Sequence, residues 1–485
     1  MRRSIVVALA LAWLMCAGVS LAHGAGIAGR VHNYTVAIDS ELSTLAVRAC
    51  FSGMPPAALV AESLDAPLAL TAFRIEGSRK SIDPAGSISL KALPPDGCVA
   101  YQVDVTHAIR QHDRTGDKIH HIGRDLLTSV GIWLWRPERL EPDEDIEIAF
   151  VLPAGVSVSV PWDPVSPAGE IPTFRMGRSP YDWPASVAFG RFRESDVRVG
   201  DSRLRLAVLD GTPPADVEQI QAWVRDAAQA VAALYGRFPQ AQAQVLVVPG
   251  AHGNEPTPWA YVVRGGSPAA HFFINQRRPM REFFEDWTAV HELSHLLLPY
   301  VNTDDIWLSE GVATYYQNVL RARNGRMRAS DAWERLHAGF AKGMDSAPGL
   351  TLAQATESMY RAETYMRVYW EGAAVLLMAD VRLRQLTAGK QSLDTALAAL
   401  NECCHSSDRA WTARELFAKL DEVTGTGLFG EIYDRHVASK DFPDLGPTYR
   451  ALGLGIGPRG LELSAGESET QLRDAIMGGG MPVIQ

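Results

Sequence analysis

The sequence predicts a multidomain α+β protein with an N-terminal β-sandwich-like domain, a middle α/β domain and a C-terminal α-helical domain. A chain of 485 residues exceeds the size of one ordinary domain. Short β-rich runs fill the first part of the chain, and helical patterns dominate its later part. The predicted divisions are 1–22 for a signal peptide, 23–200, 201–325 and 326–445 for the domains, and 446–485 for a tail.

The composition is that of a globular protein. Apolar residues make up 47% and charged residues 21% of the chain. The formal net charge is −10 and the basic residues form no cluster, so the charge pattern excludes nucleic acid as an expected partner. No apolar run of 18 residues follows the first segment, so we expect no transmembrane segment in the mature chain.

The first 22 residues predict a secretory signal peptide. Arg2 and Arg3 precede a long apolar run, and the small residue Ala22 ends a favourable cleavage site. Cleavage there would change the net charge from −10 to −12, because two arginines are lost. Cys16 raises the alternative of a lipoprotein signal, although Met15 fits that motif poorly. We therefore expect an exported protein, either periplasmic or secreted.

Four cysteines remain after the predicted cleavage. Cys50 and Cys98 flank strand-like runs, and a disulfide between them would contribute about 4 kcal/mol in the chain-entropy model. Cys403 and Cys404 are adjacent, so they form either a vicinal disulfide or two buried thiols.

The N-terminal domain is predicted from alternating β-rich runs separated by turn signals. These runs are HNYTVAID, LAVRACFSG, VAYQVDVT, DIEIAFVLP, VSVSVPW and RLRLAVLDG. Three histidines of this region, His112, His120 and His121, fall in a polar stretch that favours a loop over a metal site.

The pattern changes near Thr212. A helix begins after PPAD, and three strand candidates follow, which are AQVLVVPG, AYVVRGG and AHFFINQ. His271 lies in the last of these and is interpreted as a strand residue. The next helix carries apolar residues at helical spacing from Phe283 to Leu297, and Pro299 ends it.

The predicted metal site lies on that helix, in the sequence HELSH. His291 and His295 are four residues apart, so their imidazoles share a face with Cβ atoms about 5–6 Å apart. A catalytic zinc site needs three protein ligands and one open position. Glu310, in the following stretch TDDIWLSEG, is the expected third ligand, and Glu292 is the natural general base for a metal-bound water. The alternative is a helix with two surface histidines.

The segment that carries Glu310 is predicted to be a second helix packed against the first. Asp304 or Asp305 would cap its start, and Asn324-Gly325 would end it. Helical patterns continue beyond it, as in YWEGAAVLLMADVRLRQL and SLDTALAALNECC. The tail from residue 446 is Gly-rich and predicts loops with one short strand, GLEL.

HELSH followed by WLSEGVATYY resembles the gluzincin metallopeptidases. The later stretch YWEGAAVLLMADVRLRQLTAGKQSLDTAL resembles the glycyl aminopeptidase family and, more distantly, aminopeptidase N. The resemblance covers about residues 200–450. It implies a thermolysin-like α/β catalytic domain, one Zn²⁺ per chain, and a catalytic Tyr369 that donates a hydrogen bond to the tetrahedral intermediate.

The resemblance implies a peptidase that acts on peptides or proteins, with an aminopeptidase as the first expectation. The Gly-rich strand of such enzymes binds the substrate, which points to Gly265 and Gly266. Two departures stand out. Only 14 residues separate His295 from Glu310, and no acid lies in VVRGGSPAAHFF to hold a free amino terminus. A zinc endopeptidase, or a non-catalytic exported binding protein that retains the fold, are the alternatives.

Overall fold

The computed structural model describes residues 29–77, 86–105, 119–166, 170–405, 409–458 and 460–478. The predicted signal peptide and His112 lie outside these residues. In the described part of the chain, no helix combines the length and the apolar character that crossing a membrane requires.

The N-terminal module is mostly β-sheet, as predicted. Its strands are β1 Arg30–Ile38, β2 Thr44–Cys50, β3 Ala58–Val60, β4 Leu70–Ile75, β5 Ser87–Ser89, β6 Cys98–Asp104, β7 Ile119–Ile122, β8 Asp125–Ser129, β9 Glu144–Val151, β10 Ser157–Ser159, β11 Asp163–Pro164, β12 Thr173–Arg175 and β13 Ser186–Gly190. Two short helices interrupt them, α1 Ala66–Ala69 and α2 Val130–Trp133.

Among the described residues, the larger sheet of this module has the order β11-β12-β9-β1-β2-β6-β4 and the smaller one β10-β13-β8-β7. Residues that alternate along the strands, such as Tyr34 and Val36 on β1, are buried in one core shared by both sheets. Cys50 faces Cys98 across β2 and β6, and the predicted disulfide between them is confirmed. His120 and His121 lie on β7, so the predicted loop is wrong at these two residues.

A five-stranded sheet follows the N-terminal module, with the order β14-β15-β16-β18-β17 in the described residues. Its strands are β14 Ser195–Val199, β15 Ser202–Val208, β16 Gln242–Pro249, β17 Trp259–Val263 and β18 Ala269–Ile274. Helix α3, Val217–Ala232, packs on it through Trp223, whose ring contacts Phe272. Strand β17 forms one edge of the sheet. The predicted boundary at residue 200 falls in the turn of the β14-β15 hairpin.

Beyond this sheet the chain is helical, as predicted. The helices are α4 Met280–Glu285, α5 Thr288–Ser294, α6 Trp307–Arg323, α7 Ala329–Asp345, α8 Leu352–Glu357, α9 Met359–Ala362, α10 Tyr365–Leu386, α11 Leu393–Cys404, α12 Ala413–Thr424 and α13 Leu428–His436. Their apolar faces and the sheet share one continuous core, separate from that of the N-terminal module.

Two local predictions need correction. The helix expected from Phe283 to Leu297 is broken, because Asp286 has an extended backbone and residues 295–297 form a 3₁₀ turn. The end of this segment before Pro299 is confirmed, since Leu298 is extended. Asp305 does not cap α6; its carboxylate instead accepts a hydrogen bond from the Ala413 amide at the start of α12.

The tail is more regular than predicted. It forms α14 Gly446–Leu452, the hairpin of β19 Leu454–Gly457 and β20 Gly460–Leu463, and α15 Glu467–Met477. The strand predicted at GLEL is confirmed as β20, whereas the expected loops on either side are wrong. Ile476 and Met477 of α15 are buried in the helical core, which explains why this segment is ordered.

Candidate metal centre

Two consecutive helices bring the predicted ligands together. His291 lies on α5, His295 begins the 3₁₀ turn that extends α5, and Glu310 lies in the first turn of α6. One ligand atom from each side chain lies within 4.8 Å of the others. His291 and Glu310 are 3% and 8% exposed, so these are not surface histidines beside an ordinary acid.

The three side chains point their metal-binding atoms at one another. Glu310 Oε2 is 3.3 Å from His291 Nε2 and 3.7 Å from His295 Nε2. This oxygen is buried, and no described residue gives it a hydrogen bond. A buried carboxylate oxygen without a partner is costly, so its position between two imidazole nitrogens favours a bound cation.

The other ring nitrogen of each histidine is anchored. His291 Nδ1 is 2.8 Å from Gln317 Oε1, and His295 Nδ1 is 2.8 Å from Ser309 Oγ. Such contacts fix the ring orientation and leave Nε2 free to bind a metal. Neither Gln317 nor Ser309 was predicted from the sequence. Gln317 follows Glu310 by seven residues, which places it on the same face of α6 and is the signal that could have identified it.

Glu292 lies beside the ligands and is itself buried. Its Oε2 is 4.0 Å from His295 Nε2. Burial, with a smaller contribution from the negative charge of Glu310, raises the pKa of Glu292 to about 7. A carboxylate with a pKa near neutrality can both accept and release a proton, which is the property required of a general base that later acts as an acid.

The ionisation of the ligands reflects their mutual contacts. Burial acts to lower the pKa of His291, but Glu310 and Glu292 outweigh it, and the pKa is raised. Burial lowers the pKa of His295 to about 4. Burial acts to raise the pKa of Glu310, but the charges of His295 and His291 outweigh it, and the pKa is lowered. The set therefore offers a carboxylate and imidazoles, which are ligands suited to zinc.

Tyr369 reaches the same site from α10. Its ring centroid is 5.9 Å from that of His291. Burial and the nearby charges of Glu310 and Glu292 raise its pKa well above the usual value, so the hydroxyl group stays protonated and able to donate a hydrogen bond.

A close crossing of α6 and α10 places Tyr369 next to Glu310. A Cβ atom built on Gly311 would lie 2.6 Å from the Gly372 carbonyl carbon, and one on Gly372 would lie 2.6 Å from the Trp307 carbonyl oxygen. Neither glycine can therefore carry a side chain unless the helices separate. Each glycine lies within three residues of the functional side chain on its own helix.

Gly265 and Gly266 have a packing role in the structure. The Gly265 amide donates to the Pro184 carbonyl, and the Gly265 carbonyl accepts from Trp162 Nε1. Gly266 has φ +139° and leaves no room for a Cβ against Trp162. Both polar backbone groups of Gly265 are thus already bonded to the N-terminal module, so the predicted backbone contact with substrate has no free group at Gly265.

The remaining candidate histidine, His271, lies on β18, as predicted. It is fully buried, its ring contacts the Tyr261 ring edge to face at 4.8 Å, and burial lowers its pKa to about 3. His271 is therefore a buried, neutral residue of the sheet, and among the described residues its ring contact is with Tyr261 rather than with the candidate metal ligands.

The site just described is of the gluzincin type, with two helical histidines and a glutamate from the next helix. Residues 289–375 match the model of the M61 glycyl aminopeptidase family. That segment contains the three candidate metal ligands, Glu292 and Tyr369. The chain is therefore a gluzincin-like, zinc-aminopeptidase-like enzyme. No curated protein sequence matches it.

Solved structures of the M1 class share the fold. An aminopeptidase N family protein from Idiomarina loihiensis has a TM-score of 0.66 at 13% identity, covering 90% of this chain and 82% of that protein. The M1 zinc metallopeptidase from Deinococcus radiodurans has a TM-score of 0.54 at 15% identity, covering 86% and 94%. Yeast LTA4 hydrolase has a TM-score of 0.53 at 12% identity, covering 86% and 68%.

Proposed function

We propose that this protein is an exported zinc aminopeptidase that uses Glu292 as its general base. The observation that carries the proposal is the buried Glu310 oxygen, held without a hydrogen bond between two anchored imidazoles. His291, His295 and Glu310 would hold one zinc ion. The matched family segment, which includes these side chains, supports peptide-bond hydrolysis as the reaction.

Each side chain then has a defined task. Zinc bound here supplies Lewis acidity, which lowers the pKa of a water molecule and polarises a carbonyl group. Glu292 accepts the proton of the attacking water and passes it to the leaving amine, as its pKa near 7 allows. The Tyr369 hydroxyl group donates a hydrogen bond to the oxyanion that develops on the substrate carbonyl.

The decisive substitution is Glu292→Gln. The amide cannot accept the proton, so kcat/KM on a cleaved peptide should fall by about 10²–10⁴-fold. The zinc content should stay at one ion per chain, because Glu292 is not a ligand. Metal analysis and peptide kinetics on the same preparation measure both. Glu334→Gln, at an exposed acid of α7, is the matched control. A fully active Glu292→Gln enzyme would contradict the mechanism.

A zinc endopeptidase is the second candidate. An aminopeptidase needs a fixed negative group to pair with the α-ammonium of the substrate. The carboxylates whose charges act on Tyr369 are Glu310, a ligand, and Glu292, the base. Glu255, the nearest acid before the glycines, is exposed.

N-acetylation of a cleaved peptide separates the two candidates. The aminopeptidase should lose nearly all activity on the blocked peptide, because its ammonium group is gone. Unchanged cleavage at internal bonds would instead identify an endopeptidase. A protein that holds zinc and cleaves nothing in a broad peptide library would favour the third reading, a non-catalytic binding protein.

Export is supported by the basic start, the apolar run and the small residues at the predicted cleavage site. We expect the mature protein to begin at His23. Mass spectrometry of the amino-terminal peptide from the extracytoplasmic fraction measures this, and an intact Met1 terminus there would contradict it.

A further inference from the structure

A cavity of about 330 Å³ lies between the N-terminal module and the loop that follows β17. Arg264 and Ser267 line it on the side of this loop, and Trp183, Tyr300 and His405 line it elsewhere. The rings of Trp183 and Tyr300 meet edge to face with their centroids 4.5 Å apart, forming an aromatic wall.

Arg264 connects this cavity to the metal centre. Its Nη2 donates a hydrogen bond to the His295 carbonyl oxygen at 3.2 Å. One side chain that lines the cavity is therefore hydrogen-bonded to the backbone of a candidate metal ligand. The side chain belongs to the residue just after edge strand β17, beside which an extended peptide could add as a further strand.

Arg264 has no acidic partner among the residues that the structure describes. Its hydrogen bond to the His295 carbonyl oxygen leaves other guanidinium donors unused. A guanidinium stays protonated in proteins, so Arg264 presents a positive charge to the cavity. Arg175, which also lines the cavity, differs because it is paired with Glu147 and Asp145.

The rest of the cavity does not neutralise this charge. Asp163 also lines the cavity, but its charge acts on Arg175 and Arg205, and its Oδ1 accepts hydrogen bonds from Gln242 Nε2 at 2.7 Å and from Ser267 Oγ at 2.9 Å. Arg178 adds a second cation at the rim, and burial lowers the pKa of His405 to about 3, which keeps that imidazole neutral. The cavity is thus suited to an anion.

We propose that Arg264 binds the carboxylate of an aspartate or glutamate side chain in the substrate peptide, within two residues of the scissile bond. This inference rests on the proposed peptidase function. A guanidinium fork matches a carboxylate in a two-bonded geometry, and the aromatic wall would cover the methylene groups of the acidic side chain. An extended peptide advances about 3.3 Å per residue, so a cation in contact with the His295 backbone is within reach of only the nearest residues.

Paired peptides test the proposal. One set carries a single glutamate at successive positions around the cleaved bond, and the other carries glutamine there. At one position within two residues of that bond, the wild-type enzyme should favour glutamate by at least tenfold in kcat/KM. Arg264→Gln should bring this ratio close to one, and Arg264→Lys should leave an intermediate ratio. Arg193→Gln, at an exposed arginine outside the cavity, should keep the wild-type ratio.

Several outcomes would overturn the proposal. One is that wild-type enzyme shows equal kcat/KM for the glutamate and glutamine peptides at every position. Another is that Arg264→Gln keeps the full preference for glutamate. Sodium acetate separates a free anion from a substrate carboxylate. If acetate raises the rate on the glutamine peptide to that on the glutamate peptide, the site holds a free anion and the proposal is wrong. Zinc content and melting temperature show whether Arg264→Gln remains folded.

Binding to the Glu292→Gln protein separates this proposal from the proposed function. If the wild-type enzyme cleaves no peptide, the peptidase function fails while the subsite can still be measured. Calorimetry should then give a Kd at least tenfold lower for the glutamate peptide than for its glutamine counterpart. Equal Kd values would refute the carboxylate subsite. The same comparison in Glu292→Gln/Arg264→Gln should show no difference.

Discussion

Helix α6 carries buried polar groups on two faces, and the two faces differ in whether these groups are fully hydrogen-bonded. Toward α5, Glu310 holds an oxygen that has no hydrogen bond among the described residues. Toward α10 and α11, Tyr315 donates to Asp380 at 2.9 Å and Tyr316 donates to Asp394 at 2.7 Å.

Arginines complete the second cluster. Arg323 donates to Asp394 at 2.8 Å, and Arg384 donates to Asp380 at 2.9 Å. The Leu393 amide also donates a hydrogen bond to Asp380 at 2.8 Å. All four carboxylate oxygens of Asp380 and Asp394 accept hydrogen bonds, and Arg323 and Arg384 balance the two negative charges. A buried acid with every oxygen bonded thus supports the fold, whereas an open oxygen that faces two imidazole nitrogens, as in Glu310, indicates a ligand site.

The largest expected contrast is between Asp380→Asn and Glu310→Gln. Asp380→Asn leaves the buried Arg384 cation without its charge partner and should lower the free energy of unfolding by about 3–5 kcal/mol. Zinc per folded molecule should not change. Glu310→Gln should lose zinc, and its free energy of unfolding should stay within about 1 kcal/mol of that of metal-free wild type, because the amide has the same shape and its oxygen can still accept hydrogen bonds. Urea unfolding and metal analysis measure the two effects. Loss of zinc in folded Asp380→Asn would contradict the conclusion that Asp380 supports the fold and not the metal site.

A pair of tyrosine substitutions tests the same difference between the metal site and the Asp380 cluster. Tyr369→Phe removes the oxyanion donor and should lower kcat by about 10²–10³-fold with zinc retained. Tyr315→Phe leaves a buried Asp380 oxygen unbonded and should cost about 1–3 kcal/mol of unfolding free energy. Its kcat per bound zinc should remain that of wild type. Steady-state kinetics with thermal unfolding measure both, and a catalytic defect in Tyr315→Phe at full zinc occupancy would contradict the assignment.

Gln317→Ala tests whether the anchors of the histidines belong to the metal side. Without its acceptor the His291 ring is free to turn, so zinc affinity should fall by about 10–100-fold. Competition with a chromophoric chelator measures the affinity. Ser309→Ala should act in the same direction through His295. Unchanged zinc affinity in both variants would show that the imidazoles are held by other contacts.

The smallest effect is a pH dependence of zinc binding. The pKa of His291 is raised, and zinc requires the neutral imidazole, so protons compete with the metal below that pKa. Apparent affinity should therefore be constant above the raised pKa and decrease by up to about tenfold per pH unit below it. The contribution of the Asp380 cluster to the free energy of unfolding should not show the pH dependence of zinc affinity. Chelator titrations from pH 8 to about pH 5.5 check the slope; a flat profile would contradict it.

The sequence predicted the parts of the site that lie within one segment. His291, Glu292 and His295 share one turn of helix, so their spacing alone brings them together. Glu310 follows after one short connection, and Tyr369 was expected through resemblance rather than spacing.

The structural cluster could not be predicted in this way. Arg323, Asp380 and Asp394 lie on three different helices, and no local pattern links them. The break at Asp286 and the helices of the tail were also missed, because tertiary packing rather than local periodicity decides them.

The contact between Gly311 and Gly372 gives the two motifs a shared constraint. Each glycine follows its functional neighbour in a separate stretch of sequence, yet both are needed because the other helix backbone occupies the space of a methyl group. The separation between Glu310 and Tyr369 is therefore determined by the lack of a side chain at these two positions. An alanine in place of either glycine would push α6 and α10 apart. Such a substitution would widen the site and change its activity without altering Glu310 or Tyr369 themselves.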